Sequence, residues 1–267
     1  MKKGFRMEEI IFISVLFIMV LTVNCGPMKS KDSVQPKKIL GIFGGMGPGA
    51  TANLYQLIVE RTPASTDQEH IPTLIYSLPQ VPDRMVSIQN NDLSIISYIV
   101  EGVTRLEKGG ASFIAIPCNT VHYYFDHMEN AVSIPIIHMI RETADEVVKK
   151  YPDIKTVGLL ATTGTISTGL YEKALSAKGL KVVVPDDDIE KDYVMKAVYG
   201  IKSGEENKKC EDLLAAAGDH VEEKGAQVIV LGCTEIPLAF NPARAHVPVI
   251  NATEVLADRA IAMYFNE

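Results

Sequence analysis

The residues best suited to chemistry in this chain are two cysteines that close the two copies of an internal repeat. Gly110-Ala111-Ser112-Phe113-Ile114-Ala115-Ile116-Pro117-Cys118-Asn119-Thr120 returns as Gly225-Ala226-Gln227-Val228-Ile229-Val230-Leu231-Gly232-Cys233-Thr234-Glu235. Each copy runs from Gly-Ala through an apolar strand to a thiol. A second short run trails each cysteine at matching distance, Ile134-Pro135-Ile136-Ile137 and Val247-Pro248-Val249-Ile250, so the repeated object is a structural unit. A single such cysteine is most often a small buried hydrophobe. Two in equivalent places, one in each half, would set two thiols across one cleft and suit an enzyme that moves protons.

A cysteine at a strand end entering a helix start feels the positive end of the peptide dipoles, which favours thiolate. One thiol would then act as base, while the other, near its reference pKa of about 8.5, stays a proton donor. His122, four residues past Cys118, raises a Cys-His hydrolase as an alternative. That arrangement leaves Cys233 without a role, so a packing or supporting histidine is the better reading. Cys210 lies in a helical-looking segment, 208–217, and reads as inert. Without Cys25 the count is three cysteines with no paired short spacing, which argues against a disulfide framework or a zinc knuckle.

The elements that must position these thiols follow from hydrophobic spacing. A strand over 39–43 feeds the glycine loop Gly44-Gly45-Met46-Gly47-Pro48-Gly49, and a helix over 51–61 carries Leu54, Leu57 and Ile58. A strand over 156–160 leads likewise into Ala161-Thr162-Thr163-Gly164-Thr165 and a helix through Tyr171 and Leu175. Further strands are expected at 73–76 and 181–184, and helices near 93–108, 140–150, 193–201, 211–224 and 253–265. Alternation of this kind predicts an α/β fold. It would comprise two pseudo-symmetric domains, each a mostly parallel sheet flanked by helices, with the active site in the cleft between them. The expected domains are 39–140 plus 247–267, and 141–246. Ligands of such sheets collect beyond the carboxyl ends of the strands, where the loops and both cysteines fall.

Gly45-Met46-Gly47-Pro48-Gly49-Ala50 matches the dinucleotide fingerprint only by force, because Pro48 interrupts it and the acidic partner is ambiguous. A tight strand-to-helix turn, or backbone N–H groups holding a carboxylate, suits it better. In Pro79-Gln80-Val81-Pro82-Asp83-Arg84, Arg84 is positioned to grip a carboxylate through two parallel hydrogen bonds, with Asp83 holding a neighbour. Lys202, in Tyr199-Gly200-Ile201-Lys202-Ser203-Gly204, is ambiguous from its spacing alone.

With 267 residues, 47% of them hydrophobic, the chain can bury one large core or two moderate ones. Asp and Glu number 33 against 26 Lys and Arg, with no basic stripe for a phosphate backbone, so nucleic acid is excluded as a partner. The acidic runs Asp186-Asp187-Asp188 and Glu205-Glu206 read as solvated loops rather than as a metal site. Lys2, Lys3 and Arg6 precede an apolar stretch over 10–23 that is short for a bilayer span and reads as a secretory leader. Its end, Leu21-Thr22-Val23-Asn24-Cys25-Gly26, resembles a bacterial lipoprotein signal with a lipidated Cys25 at the mature N-terminus. On that reading 1–25 is the leader and 26–38 a polar linker. The protein would be exported and membrane-anchored, facing the periplasm or cell exterior; a non-functional leader would leave it cytoplasmic.

Taken together, Gly44-Gly45-Met46-Gly47-Pro48, Pro79-Gln80-Val81-Pro82-Asp83-Arg84, Pro117-Cys118-Asn119-Thr120, Leu160-Ala161-Thr162-Thr163-Gly164-Thr165 and Gly232-Cys233-Thr234-Glu235 resemble the aspartate/glutamate racemase family from residue 39 to the C-terminus. The resemblance implies cofactor-independent, metal-free racemisation of an acidic amino acid on paired α/β domains, commonly in a homodimer. It implies Cys118 and Cys233 as acid-base thiols, and Arg84 and Lys202 on the side-chain carboxylate. Asn119, Thr120 and Thr234 would hold the α-carboxylate. Met46, Gln80 and Thr163 would line the site, with Asp83 and Glu235 in support. The leader departs from the family's usual cytoplasmic form.

That chemistry agrees with the residues. Racemisation takes the α-proton from one face and returns one to the other, so two bases must flank a planar carbanion. Without an electron sink, hydrogen bonds and positive charge at the carboxylate must stabilise that carbanion. The rival readings are a lipid-tethered solute-binding protein and a decarboxylase or cis-trans isomerase of the same superfold.

Overall fold

The computed structural model describes residues 38–266; the expected leader, Cys25 and nearly all of the expected linker lie outside them. In chain order the elements are β1 (Leu40–Gly44), α1 (Pro48–Arg61), β2 (Thr73–Ser77), α2 (Arg84–Gln89), α3 (Ile95–Lys108), β3 (Phe113–Ala115), α4 (Phe125–Glu129) and α5 (Met139–Lys150). The second half continues with β4 (Thr156–Leu160), α6 (Thr163–Ser167), α7 (Leu170–Ser176), β5 (Lys181–Val183), a π-helical turn (Glu190–Met195), α8 (Lys196–Ser203) and α9 (Asn207–Glu223). It ends with β6 (Val228–Leu231), β7 (Val249–Asn251) and α10 (Ala252–Asn266). Among the described residues no helix is long and apolar enough to cross a membrane.

The strands form two parallel sheets, ordered β2-β1-β3 and β5-β4-β6-β7. Their build is the same. The outer run 134–137 adds only a bridge, Ile114 to Ile136, beside β3, whereas its repeat partner becomes β7 beside β6. Pro135 O accepts from Ile114 N and Pro248 O from Ile229 N, each at 2.9 Å, so the two prolines serve their sheets alike. The Gly-Ala that opens each repeat also has one physical origin. Gly110 and Gly225 sit at φ 95 and 88 just past the ends of α3 and α9, a left-handed conformation that costs glycine least. The following alanine N–H then reaches back, Ala111 to Leu106 O at 3.0 Å and Ala226 to Val221 O at 3.1 Å. These helix terminators aim the chain into β3 and β6.

The inner strands β1, β3, β4 and β6 are buried on both faces, as expected for parallel strands under helices, while the edge strands β2 and β5 are partly exposed. Alternation along β1 sends Leu40 and Ile42 toward α1 and α10, and Phe43 toward α3. The second sheet repeats this with Val157 and Leu159 on one side and Leu160 on the other. Residues 247–267, grouped by sequence with the first domain, divide between the sheets. β7 pairs with β6 in the second sheet, while α10 packs Leu256, Ala257 and Ala260 against Leu40 and Ile42 of the first. The repeat explains the split: its trailing strand belongs beside the strand that precedes it.

Candidate active site

Ile116-Pro117 carry the chain from β3 to Cys118, and Gly232 carries it from β6 to Cys233, so both thiols stand past the carboxyl ends of parallel strands. Both are free and buried, 5% and 6% exposed. The two segments touch: Thr234 Oγ1, next to Cys233, donates to the carbonyl of Pro117, next to Cys118, at 3.4 Å. Glu235, 4% exposed, lies beneath this joint. Its Oε2 accepts from Cys233 Sγ at 3.2 Å, and its Oε1 is 3.7 Å from Lys202 Nζ. Burial, and then the charge of Glu235, push the Cys233 thiol well above its ordinary range, with Lys202 opposing. Cys233 is therefore a protonated donor in this state.

Glycines of the first loop make room for their neighbours. A Cβ on Gly47 would fall 2.9 Å from Glu235 Oε1, and one on Gly45 would fall 2.4 Å from Leu78 backbone. Gly45 N–H is already given to Thr51 Oγ1 at 2.9 Å, and Pro48 at the first turn of α1 has no N–H to offer. These contacts fit a tight strand-to-helix turn at Gly45.

Arg84 opens α2, whose N-cap is Asp83: its carboxylate accepts from Met85 N at 2.8 Å and Val86 N at 3.1 Å. The Arg84 guanidinium donates to the carbonyls of Pro82 and Met46, each at 3.2 Å, and more weakly to Val81 O at 3.4 Å. It therefore clamps the first loop to the second. Arg84, Lys202 and Glu235 line a cavity of about 310 Å³ together with the glycine loop. Arg84 and Lys202 also line a smaller one of about 30 Å³ with Thr120 and Thr162. Neither thiol lines either cavity.

Thr120 meets the second half through hydroxyls, 2.8 Å to Thr165 and 3.3 Å to Thr162. Thr163, expected at the site, instead donates to Glu190 Oε1 at 2.8 Å, and its neighbour Thr162 takes the cavity wall. The helical turn that starts at Thr163 points adjacent side chains apart, a distinction spacing alone does not make. Gln80 is exposed and lines neither cavity, whereas Met46 is buried and enters through its carbonyl. Asn119 is 3% exposed, and its Oδ1 accepts from Tyr171 Oη at 2.8 Å. Its Nδ2 is buried and has no hydrogen-bond partner among the described residues. The sequence offered no sign of Tyr171 as a site residue beyond its place in the helix after the threonine loop.

His122 is not paired with a thiol. Its Nδ1 donates to Cys118 O at 2.8 Å and its Nε2 accepts from Met139 N at 3.2 Å, so both ring nitrogens serve the backbone. Burial pushes its pKa down to about 4, which keeps the ring neutral. It is a supporting residue that holds the Cys118 turn.

Two parallel sheets of one build each carry a cysteine past a strand end, and the segments around them meet beside hydroxyls, an amide and a lysine-glutamate pair, the candidate site of an α/β protein. The chain belongs to the Asp/Glu/Hydantoin racemase family, whose model matches residues 43–260. It is 27% identical over 230 residues to the broad specificity amino-acid racemase RacX of Bacillus subtilis (strain 168), covering 85% of this chain and 98% of that one. Among solved structures, the Picrophilus torridus aspartate racemase superposes with a TM-score of 0.73 at 31% identity, over 85% of this chain and 94% of the other. An aspartate racemase homologue from Pyrococcus horikoshii OT3 gives 0.68 at 28%, over 85% and 99%. The protein is accordingly an amino-acid racemase, and the binding-protein alternative gives way.

Proposed function

We propose that this racemase acts on an acidic amino acid, aspartate before glutamate, by a cofactor-independent two-base mechanism in which Cys118 and Cys233 flank the α-carbon. The observation that carries this reading is the hydrogen bond from Thr234 to Pro117 O, which joins the residue after one thiol to the residue before the other. In one direction the Cys118 thiolate takes the α-proton, and the protonated Cys233 gives its proton to the opposite face, which leaves Cys233 as thiolate. In the other direction the roles exchange: the Cys233 thiolate left by the first turnover takes the α-proton, and the Cys118 thiol gives its proton to the opposite face. The unpartnered Asn119 Nδ2 is a donor for the α-carboxylate, where charge grows as the carbanion forms. Arg84 and Lys202, on the cavity of about 310 Å³, supply the positive end for the distal carboxylate. Incubation with L-aspartate or L-glutamate in D₂O under reducing conditions tests the reading: loss of the α-proton signal together with racemisation is expected, and no exchange with either would refute it.

A second reading concerns substrate breadth. Lys202 is already neutralised by Glu235, and Arg84 is already bonded to three carbonyls, while the Bacillus relative is named for broad specificity. On these grounds neutral amino acids also enter. The same exchange assay with alanine and leucine decides between the two.

Two features complete the proposal. The leader over 1–25 would export the enzyme and a lipid on Cys25 would hold it to a membrane, and a mass spectrum of the native N-terminus reads this directly. A homodimer is supported by exposed apolar side chains on adjoining elements, Val86 of α2 at 52% and Tyr123 of the turn Thr120–Tyr124 at 50%. Light scattering on the purified protein measures its mass.

A further inference from the structure

Away from the cleft, α5 and α7 pack against each other and leave a surface cavity of about 360 Å³. Its floor is apolar: Ile140 from α5, Leu170 and Ala174 from α7, and Ala177 just past the end of α7. The spacing 170, 174, 177 puts these three on one helix face, and the two alanines leave the space that larger side chains would fill. Above this floor the wall is basic. Arg141, Lys173 and Lys178 line it with a single carboxylate, Asp145, in a chain whose net charge is −7.

These charges are unequally used. Lys178 is ion-paired to Asp145. Arg141 and Lys173 have no carboxylate within ion-pair distance among the described residues; Arg141 lies over the Phe125 ring, 5.7 Å from its centre. The remaining wall residue is His138, whose Nδ1 accepts from Arg141 N at 3.4 Å and whose ring packs 4.4 Å from Phe125 and 5.1 Å from His122. Burial, His122 and Arg141 together push its pKa down to about 3, so it is neutral and carries its proton on Nε2. An apolar floor, two unpaired cations and a neutral imidazole form a coherent recognition pattern. Asp145 makes a second negative charge unwelcome and separates a carboxylate from a phosphate dianion.

We propose that this cavity is a second ligand site, separate from the cleft, that binds a small organic monocarboxylate, with the carboxylate between Arg141 and Lys173 and an apolar body on Ile140, Leu170, Ala174 and Ala177. None of the residues assigned to racemisation takes part. The site is testable whether or not the two-base reading stands.

Phenylacetate, acetate and inorganic phosphate serve as probes on the whole protein, with binding followed by NMR of the backbone amides and the histidine ring protons. Phenylacetate is expected to saturate with a Kd on the order of 1 mM, the range for a ligand of about ten heavy atoms, and to shift signals of His138 and residues 170–178. Acetate, without an apolar body, and phosphate, with its second charge, are expected to bind at least tenfold more weakly. Arg141→Gln, on the exposed side of α5, is expected to weaken phenylacetate by roughly tenfold. Ala174→Leu fills the floor and should abolish binding; Arg141→Gln decides the matter if that variant folds poorly. Excess L-aspartate should leave the signals in place. Shifts that map to Lys202 and Thr120 instead, displacement by L-aspartate, phosphate binding as tightly as phenylacetate, or affinity unaltered in Arg141→Gln would each overturn the proposal.

Discussion

Removing one oxygen from Tyr171 tests how the site is held. Tyr171 is 1% exposed, and its phenol donates to Asn119 Oδ1 at 2.8 Å from the opposite half of the molecule. Burial holds its hydroxyl protonated far above the ordinary tyrosine range, so it remains a donor at every working pH. Tyr171→Phe keeps the ring and its packing, and leaves a buried amide oxygen without its partner. Such an orphaned acceptor costs about 1–3 kcal/mol, which for a domain of this size lowers Tm by roughly 2–6 °C. The loss also frees the Asn119 amide to rotate, and its Nδ2 is the donor assigned to the α-carboxylate. Turnover should therefore fall by about tenfold in kcat/KM, since 1.4 kcal/mol is a tenfold change. Thermal unfolding by circular dichroism gives the first quantity and steady-state racemisation kinetics the second. Asn119→Ala should lower kcat/KM further, and adding Tyr171→Phe to it should cost little more, because the two act as one unit. The reasoning fails if Tyr171→Phe unfolds earlier yet turns over normally, or if the two substitutions are additive in kcat/KM.

The remaining predictions address the thiols, the clamp and the buried histidine. Cys118→Ala and Cys233→Ala should each stop racemisation in both directions. With a β-chloro analogue that expels chloride without reprotonation, each should still eliminate from one enantiomer, and the two should prefer opposite hands; full racemisation by either variant would show that its missing thiol is not a required base. Arg84→Lys cannot span Met46 O and Pro82 O, so it should weaken aspartate turnover by roughly 1.5–3 kcal/mol, and unchanged kinetics would remove Arg84 from the site. His122 has a folded pKa of about 4 against 6.5 when exposed, so below pH 6.5 the unfolded chain takes up a proton that the native state refuses. Stability from this group is fully present above pH 6.5 and declines as pH falls toward 4. The loss is about 2 kcal/mol by pH 5 at 1.36 kcal/mol per unit. Urea midpoints at pH 7 and pH 5 measure it, and a slope unchanged in His122→Gln would contradict the assignment.

What the sequence by itself determined was the repeat and everything that follows from local periodicity. The strands read at 39–43, 73–76 and 156–160, found at 40–44, 73–77 and 156–160, the helices around them and the two cysteines at matching strand ends are consequences of apolar spacing, glycine helix terminators and chain order. They are legible because each depends on residues a few positions apart. The fate of single side chains at the site was decided only by the tertiary structure. Whether Thr162 or Thr163 faces the cavity depends on where a helix begins, and that Arg84 spends its donors on Met46 and Pro82 depends on two loops 36 residues or more apart meeting at one point. Nothing near Tyr171 in sequence announces Asn119, and nothing near Lys202 announces that Glu235 already occupies its charge. Tyr171 and Asn119 meet where two sheets of one build are brought together, whereas Lys202 and Glu235 meet within the second half, and no local window of sequence contains either pairing.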